Sequence, residues 1–226
     1  MTSVQSIKSQ ILAATRAVVP AARGCIYDVG RDLTPHGHQT DSDDTRWLAL
    51  YPRYRALDPF HPRYFAQLRN SVFRTRDGAG RVEQHRAYID GFRQPMGMAF
   101  KAEVFLRDAS DAIVAGIRLS RPYEMGEFRD DEVAVLQALQ PVLSSAWQTA
   151  LAQARIEPLL APLTPREREV LTCLRTGCSN KEICRRLGMA LPTTKSHVQR
   201  IMRKIGVTSR AELLAVLAGA QGRVGL

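Results

Sequence analysis

Thr193, Lys195, Ser196, Gln199, Arg200, Arg203 and Lys204 fall in a stretch with no acidic residue between Thr193 and Ile205. Placed around a helix at about 100° per residue, Lys195, Ser196, Gln199, Arg200 and Arg203 share one side, with Thr193, His197 and Lys204 on its far flank. Thr194, Val198, Ile201, Met202 and Ile205 form a compact apolar arc opposite. Ammonium, guanidinium, amide and hydroxyl donors aligned in this way suit phosphate oxygens and base edges, and such a helix fits a major groove. The plainer alternative is a solvated helix face.

A second group is Trp47, Tyr51, Tyr54 and Asp58, three aromatic side chains at helical spacing followed by a carboxylate. By spacing alone it reads as the core of one amphipathic helix with Asp58 capping the next element. Asp58, His61, His85 and the pair His36 and His38 carry acid, base or metal-ligand groups, but none has a diagnostic spacing. The sequence has no phosphate loop, GxSxG elbow or HExxH pair, and Gly78-Ala79-Gly80 lacks the third glycine of a dinucleotide fingerprint. Cys173, Cys178 and Cys184 with His197 fit no common zinc finger and read as small packed side chains. No catalytic residue, metal or cofactor is expected.

The elements that must hold the basic face are marked by their caps. Leu163-Thr164-Pro165-Arg166-Glu167 offers Thr as N-cap, Pro at the first helical position and Glu at the third. A helix should therefore begin at Pro165, bury Val170, Leu171 and Leu174, and end at Gly177. Ser179 with Glu182 opens a second helix holding Ile183 and Leu187, stopped by Gly188. Ser209 with Glu212 opens a last one carrying Leu213, Leu214 and Leu217, and Gly219 follows. A two-turn helix, a short turn and a longer basic helix over Thr193–Ile205 are in the order of a helix-turn-helix.

Leu163-Thr164-Pro165-Arg166-Glu167-Arg168-Glu169-Val170-Leu171, Gly177, Asn180-Lys181-Glu182-Ile183, Thr193, Lys195, His197, Ile201, Lys204, Gly206-Val207 and Arg210-Ala211-Glu212 together resemble the LuxR-type four-helix DNA-binding domain along its whole length. The resemblance implies a third helix inserted in the major groove and pairing of two chains through the last helix. This chain departs from that pattern at Ala190, where Ser or Thr often caps the recognition helix, at Thr194 in place of Val, and at Gln199 in place of a frequent Lys. Gln characteristically reads adenine, so the operator sequence does not follow from relatives.

In residues 1–162 a hairpin is the clearest element. Met98, Phe100, Ala102, Val104 and Leu106 alternate with Lys101, Glu103 and Arg107, and Ile113, Ala115, Ile117 and Leu119 alternate again after Asp108-Ala109-Ser110-Asp111, which predicts two antiparallel strands with one apolar face. Cys25 to Val29 is a third strand, and Ile7 to Val19, Asp44 to Leu57 and Pro62 to Asn70 read as helices. From Phe128 a long helical pattern runs through Leu136, Leu139, Leu143, Ala146 and Ala150, with a kink or restart expected at Pro141. The two strands followed by residues 128–141 resemble the end of a GAF-like sensory domain. Trp47, Tyr51, Tyr54 and Asp58-Pro59 are similar, at a shorter Trp-to-Asp spacing, to the pattern with which quorum-sensing LuxR-type proteins hold an acyl-homoserine lactone.

Charge divides the chain in the same place. The net charge is +10, and residues 163–226 hold twelve Lys or Arg against four Asp or Glu, leaving the longer front part nearly balanced. The expected architecture is an α+β N-terminal sensory domain over 1–155, an antiparallel sheet with flanking helices of GAF/PAS-like form. A linker over 156–162, framed by Pro158 and Pro162, leads to an all-α four-helix LuxR-type domain over 163–226. No apolar run is long enough for a membrane helix and no export signal is evident, so a cytoplasmic, non-membrane protein with reduced cysteines is expected. The apolar stripes at Leu136 to Ala150 and Leu213 to Leu217 suggest a homodimer. Taken together, the residues predict a sequence-specific transcriptional regulator with double-stranded DNA and RNA polymerase as partners. Two classes remain open: control by a small-molecule effector, and a constitutive or partner-controlled DNA-binding protein without a ligand. An enzyme is the least supported class.

Overall fold

In the computed structural model, which describes residues 3–78 and 85–222, the alternating segments around 100–119 pair as expected and form the middle of a five-stranded antiparallel sheet. The chain divides into two compact units, Met1–Gln148 and Thr149–Leu226. The first begins with helix α1 (Ser3–Val18), then β1 (Arg23–Val29), β2 (Pro35–Thr40), α2 (Arg46–Tyr54), β3 (Val72–Arg74), β4 (Phe100–Arg107) and β5 (Ile113–Arg121). The sheet order is β2-β1-β5-β4-β3, all neighbours antiparallel. This is an α+β arrangement.

The register sorts the sheet into two faces. Val104 pairs with Ile117, Ala102 with Leu119 and Leu106 with Ala115, giving one apolar face. Glu103 pairs with Arg118 and Lys101 with Ser120, while Arg118 faces Cys25 on β1. The sequence reading leaves this second face to solvent; instead it is buried. Helix α2 and the helical turns at Arg86–Tyr88 and Ile89–Arg93 bring Trp47, Tyr51, Tyr88 and Phe92 against Cys25 and Tyr27. Phe60, Phe65 and Phe73 pack on Phe105 further along.

The helix expected over 62–70 does not form; a 3-10 turn at Pro62–Tyr64 and further turns stand there. The Arg107 guanidinium takes the carbonyl of Phe65 (3.0 Å), an acceptor that such a helix would need for its own ladder, and also that of Leu68 (2.9 Å). The helix expected over 44–57 is α2 plus a 3-10 turn at Arg55–Leu57. Residues 79 and 80 of Gly78-Ala79-Gly80 lie outside the described residues.

Helix α3 (Asp130–Leu160) passes Pro141 without a break. Proline leaves the carbonyl one turn earlier, on Gln137, without its donor, and both residues are exposed, so water can replace that bond. The segment 156–162 is helical to Leu160, and Ile156 is buried with the apolar residues of the second unit. That unit continues with α4 (Pro165–Arg175), α5 (Asn180–Leu187), α6 (Leu191–Ile205) and α7 (Arg210–Gly222). Its core joins Val170, Leu171 and Leu174 to Ile183, Val198, Ile201, Leu213 and Leu217. Helix α7 runs on through position 219, where an end was expected.

Candidate nucleic-acid interface and ligand site

The second unit is positioned by its caps. On α4 the Thr164 side chain accepts from the Glu167 N–H, and Glu167 accepts from the Thr164 N–H at 2.8 Å. Ser179 and Glu182 repeat this on α5, which ends at Gly188 in the left-handed region, φ +62. On α7 only half of the expected box forms: Ser209 accepts from the Glu212 N–H, whereas Glu212 accepts from the N–H and hydroxyl of Thr208. Helix α6 starts two residues earlier than the apolar arc suggests, with Ala190 as an N-cap that offers no side-chain acceptor. Pro192 is tolerated because the first-turn N–H it lacks has no intrahelical partner in any case.

Val198, Ile201 and Thr194 turn inward, and Thr193, Lys195, Ser196, Gln199, Arg200, Arg203 and Lys204 are all exposed. The first six have no intramolecular side-chain partner among the described residues. Lys204 differs. Its ammonium donates to Glu167 at 2.6 Å, tying α6 to the first turn of α4. This bond, with the Thr164 N–H, holds the Glu167 carboxyl down at about 2. Six unpartnered donors on one helix face, beside a clamped seventh, form a surface able to accept a polyanion.

Inside the first unit the structure brings Trp47, Tyr51 and Asp58 together. Tyr51 donates to Asp58 at 3.0 Å, and Asp58, fully buried, also accepts from the Phe60 N–H at 3.0 Å. Tyr54 joins only at the edge, against Phe92 and over Gly91, where no side chain would fit. The residues that complete the cluster come from the sheet. Arg118 lies 2.9 Å from Asp58 and donates to Glu103 at 2.7 Å, Tyr27 donates to Glu103, and Lys101 donates to Tyr88. The Arg118 guanidinium stacks near the Tyr27 and Tyr51 rings and the Lys101 ammonium near those of Tyr88 and Phe92.

Burial pushes the Asp58 carboxyl up, but Arg118 and Lys101 together outweigh it and bring it to about 2. Burial draws the Lys101 ammonium down to about 7 against the attraction of Asp58. The same desolvation raises Glu103, with Arg118 opposing. His38, ringed by Tyr27, Trp47 and Tyr51, is lowered to about 3 by burial and then by Arg118, and is neutral at physiological pH. Beside the cluster is a cavity of about 20 Å³. The sequence reading missed Tyr27, Tyr88, Lys101, Glu103 and Arg118. A cross-strand Glu–Arg pair on an assumed solvent face was the available signal.

The remaining candidates stay dispersed. His61 accepts from the Arg63 N–H, His85 lies against Tyr64, and His36 is exposed beside Asp28. Among the described residues no group of three His, Cys, Asp or Glu could hold a metal ion. Cys173 and Cys178 lie in the helical core, and Cys184 touches the Thr194 hydroxyl. No helix among the described residues is long and apolar enough to cross a membrane.

Residues 161–217 match the model of the bacterial regulatory proteins, luxR family. The chain is 30% identical over 212 residues, 93% of its own length and 89% of the relative's, to the monoamine regulon transcriptional regulator of Klebsiella aerogenes. It is 30% identical over 133 residues, 56% of this chain and 61% of the relative, to the transcriptional regulatory protein MctR of Rhizobium johnstonii. The fold of the first unit is similar to the VqsR LBD domain from Pseudomonas aeruginosa, with TM-score 0.50 and 11% identity over 66% of this chain and 93% of that one. A helix-turn-helix matched by residue and by geometry, in a chain similar almost end to end to a named regulator, makes this protein a member of the LuxR family of bacterial regulatory proteins, a DNA-binding transcriptional regulator.

Proposed function

We propose that the protein reads its operator with Gln199 and Ser196, grips phosphates with Thr193, Lys195, Arg200 and Arg203, and is switched by a small molecule held in the first unit. The observation that carries the DNA-reading assignment is the row of unpartnered donors on α6, set against Lys204, whose ammonium is already engaged. Each protomer then offers three free cations, and a homodimer six. Neutralising six phosphates gives a slope near −5 in log affinity against log salt, or roughly a thousandfold loss between 50 and 200 mM. Fluorescence anisotropy on duplex DNA tests this: a salt-independent affinity, or equal affinity for all sequences, overturns it.

Effector control is supported by the buried cluster of Asp58, Glu103, Lys101 and Arg118. Ion pairs in a core are a weak source of stability, and a hydrophobic interior of equal volume would serve folding as well or better. The smallness of the cavity favours the second reading, a regulator switched by a protein partner such as RNA polymerase. Native mass spectrometry of freshly purified protein separates them: a bound small molecule of defined mass supports the first, and its absence together with partner-dependent DNA affinity supports the second. Residues 1–155 are assigned the sensory role and 163–226 the DNA-binding role, in a cytoplasmic homodimer. Limited proteolysis releasing a folded C-terminal fragment is the expected result, and one protected core spanning 140–180 contradicts the division.

A further inference from the structure

We infer that the first unit takes a small carboxylate with a single-ring or short aliphatic body, its oxygens received by Lys101 and Arg118. This rests on the reading that the unit is switched by a small molecule. Lys101, Arg118 and Arg23 bring cations to the cavity wall, Trp47, Phe92 and Met98 make its apolar side, and no carboxylate lines it. Arg23 is held at the rim by Asp44 and the Met96 carbonyl, so the two buried cations are the ones left to a ligand.

Their donors are under-used. The Lys101 ammonium has three N–H groups and one hydrogen bond, to Tyr88, and its nearest carboxylate oxygen, on Asp58, is 3.9 Å away. The buried Nη2 of Arg118 lies in ion-pair contact with Asp58 but forms no well-directed hydrogen bond. The two buried carboxylates, in contrast, do not line the cavity, and each already accepts hydrogen bonds on both oxygens. Asp58 receives Tyr51, the Phe60 N–H and the charge of Arg118, and Glu103 receives Tyr27 and Arg118. An incoming amine would meet two cations and no carboxylate on the wall, whereas a carboxylate would supply a further acceptor to both cations. That burial brings Lys101 down to about 7 is the same shortage seen from the proton's side.

The cavity of about 20 Å³ has room for one water. Entry of a ligand therefore needs a wall residue to move, and Met98, unbranched and adaptable, is the side chain able to do so. This limits the body of the ligand to about the volume that one side chain vacates.

The test uses the full chain with benzoate and phenylacetate, benzamide, and benzylamine and phenethylamine, read by isothermal calorimetry and by thermal shift. The carboxylates are expected to bind saturably and raise the melting temperature, and the amide and amines to do neither. Lys101→Met removes a buried ammonium while keeping an unbranched side chain one atom shorter. It is expected to weaken carboxylate binding roughly tenfold to a hundredfold, the factor for one hydrogen bond to a charged group. Met98→Phe, which stiffens the wall without touching either cation, should also weaken it, and serves where Lys101→Met does not fold. Binding of amine or amide as tight as carboxylate, unchanged carboxylate affinity in both variants, or no carboxylate binding at all overturns the inference. Operator affinity measured in parallel keeps the two readings apart. A carboxylate that binds without changing DNA affinity sinks effector control but not this site, and an amine that binds and changes it does the reverse.

Discussion

Replacing Lys204 tests the division of labour on α6, because a helical wheel gives it to DNA and the structure gives it to Glu167. The Glu167 carboxylate is nearly inaccessible, with its side chain 3% exposed, and accepts from the Thr164 N–H at 2.8 Å and from Lys204 at 2.6 Å. A hydrogen bond to a charged group contributes about 1.5–3 kcal/mol. Lys204 is 29% exposed, so solvent screening reduces this to about 1–2 kcal/mol for Lys204→Met. Glu167→Ala also loses the N-terminal cap, about 1 kcal/mol more. At roughly 4–8 °C per kcal/mol for a unit of this size, Lys204→Met should lower the melting of the second unit by about 4–16 °C. The pH dependence has a definite sign. The Glu167 carboxyl is lowered from its ordinary 4.5 to about 2, so its contribution is complete above about 4.5 and is lost as pH falls through about 2. In Lys204→Met the carboxyl is no longer held so low, so the loss on acidification is smaller and is complete at a higher pH. Circular dichroism of the full chain across this range, with anisotropy on operator DNA at a temperature where both proteins are folded, checks both effects. An unchanged melting temperature together with a salt slope reduced by about 0.9 per protomer, or about 1.8 for the homodimer, would place the Lys204 ammonium on a phosphate and refute the reasoning.

Ala190→Ser gives α6 the acceptor its N-cap lacks, and should stabilise by about 1 kcal/mol in thermal unfolding; no gain means the Thr193 N–H is already satisfied. Gly116→Ala places a methyl group in the Tyr27 ring, and overpacking of this kind costs about 1–3 kcal/mol, read as a lower denaturation midpoint; a neutral result contradicts the close approach. Gln199→Ala should cost roughly 1–3 kcal/mol at the operator and relax one base position, whereas equal losses on operator and random DNA remove it from the reading face. Leu136, Leu143 and Ala150, expected at a dimer interface, are buried within the chain, and α3 leaves Val142 64% and Val135 40% exposed instead. Val142→Glu should therefore lower self-association in sedimentation while Leu143→Glu impairs folding, and a dimer indifferent to Val142→Glu excludes this face.

What could be read from the sequence was what is encoded locally. Thr164 with Glu167 and Ser179 with Glu182 lie three positions apart, so their caps need no knowledge of the rest of the chain, and both formed. The β4–β5 hairpin was equally legible, since its alternation and short turn specify pairing between neighbours. Strand β2 was not: Pro35-His36-Gly37-His38-Gln39-Thr40 has almost no apolar residue, and it is a strand because β1 offers it an edge.

The sites themselves depend on what is distant in sequence. Alternation told which side chains of β4 share a face but not what covers that face, so Lys101 and Glu103 looked solvated until Tyr51, Tyr88 and Phe92 arrived from elsewhere in the chain. Lys204 looked free because its acceptor is 37 positions away. Lys204 is exposed but tied to Glu167, whereas Lys195, Arg200 and Arg203 have no side-chain partner among the described residues and are the cations proposed to meet DNA. In the interior the cavity wall carries the cations of Lys101 and Arg118 and not Asp58, so the proposed ligand is matched to the cations rather than to the carboxylate that the sequence singles out.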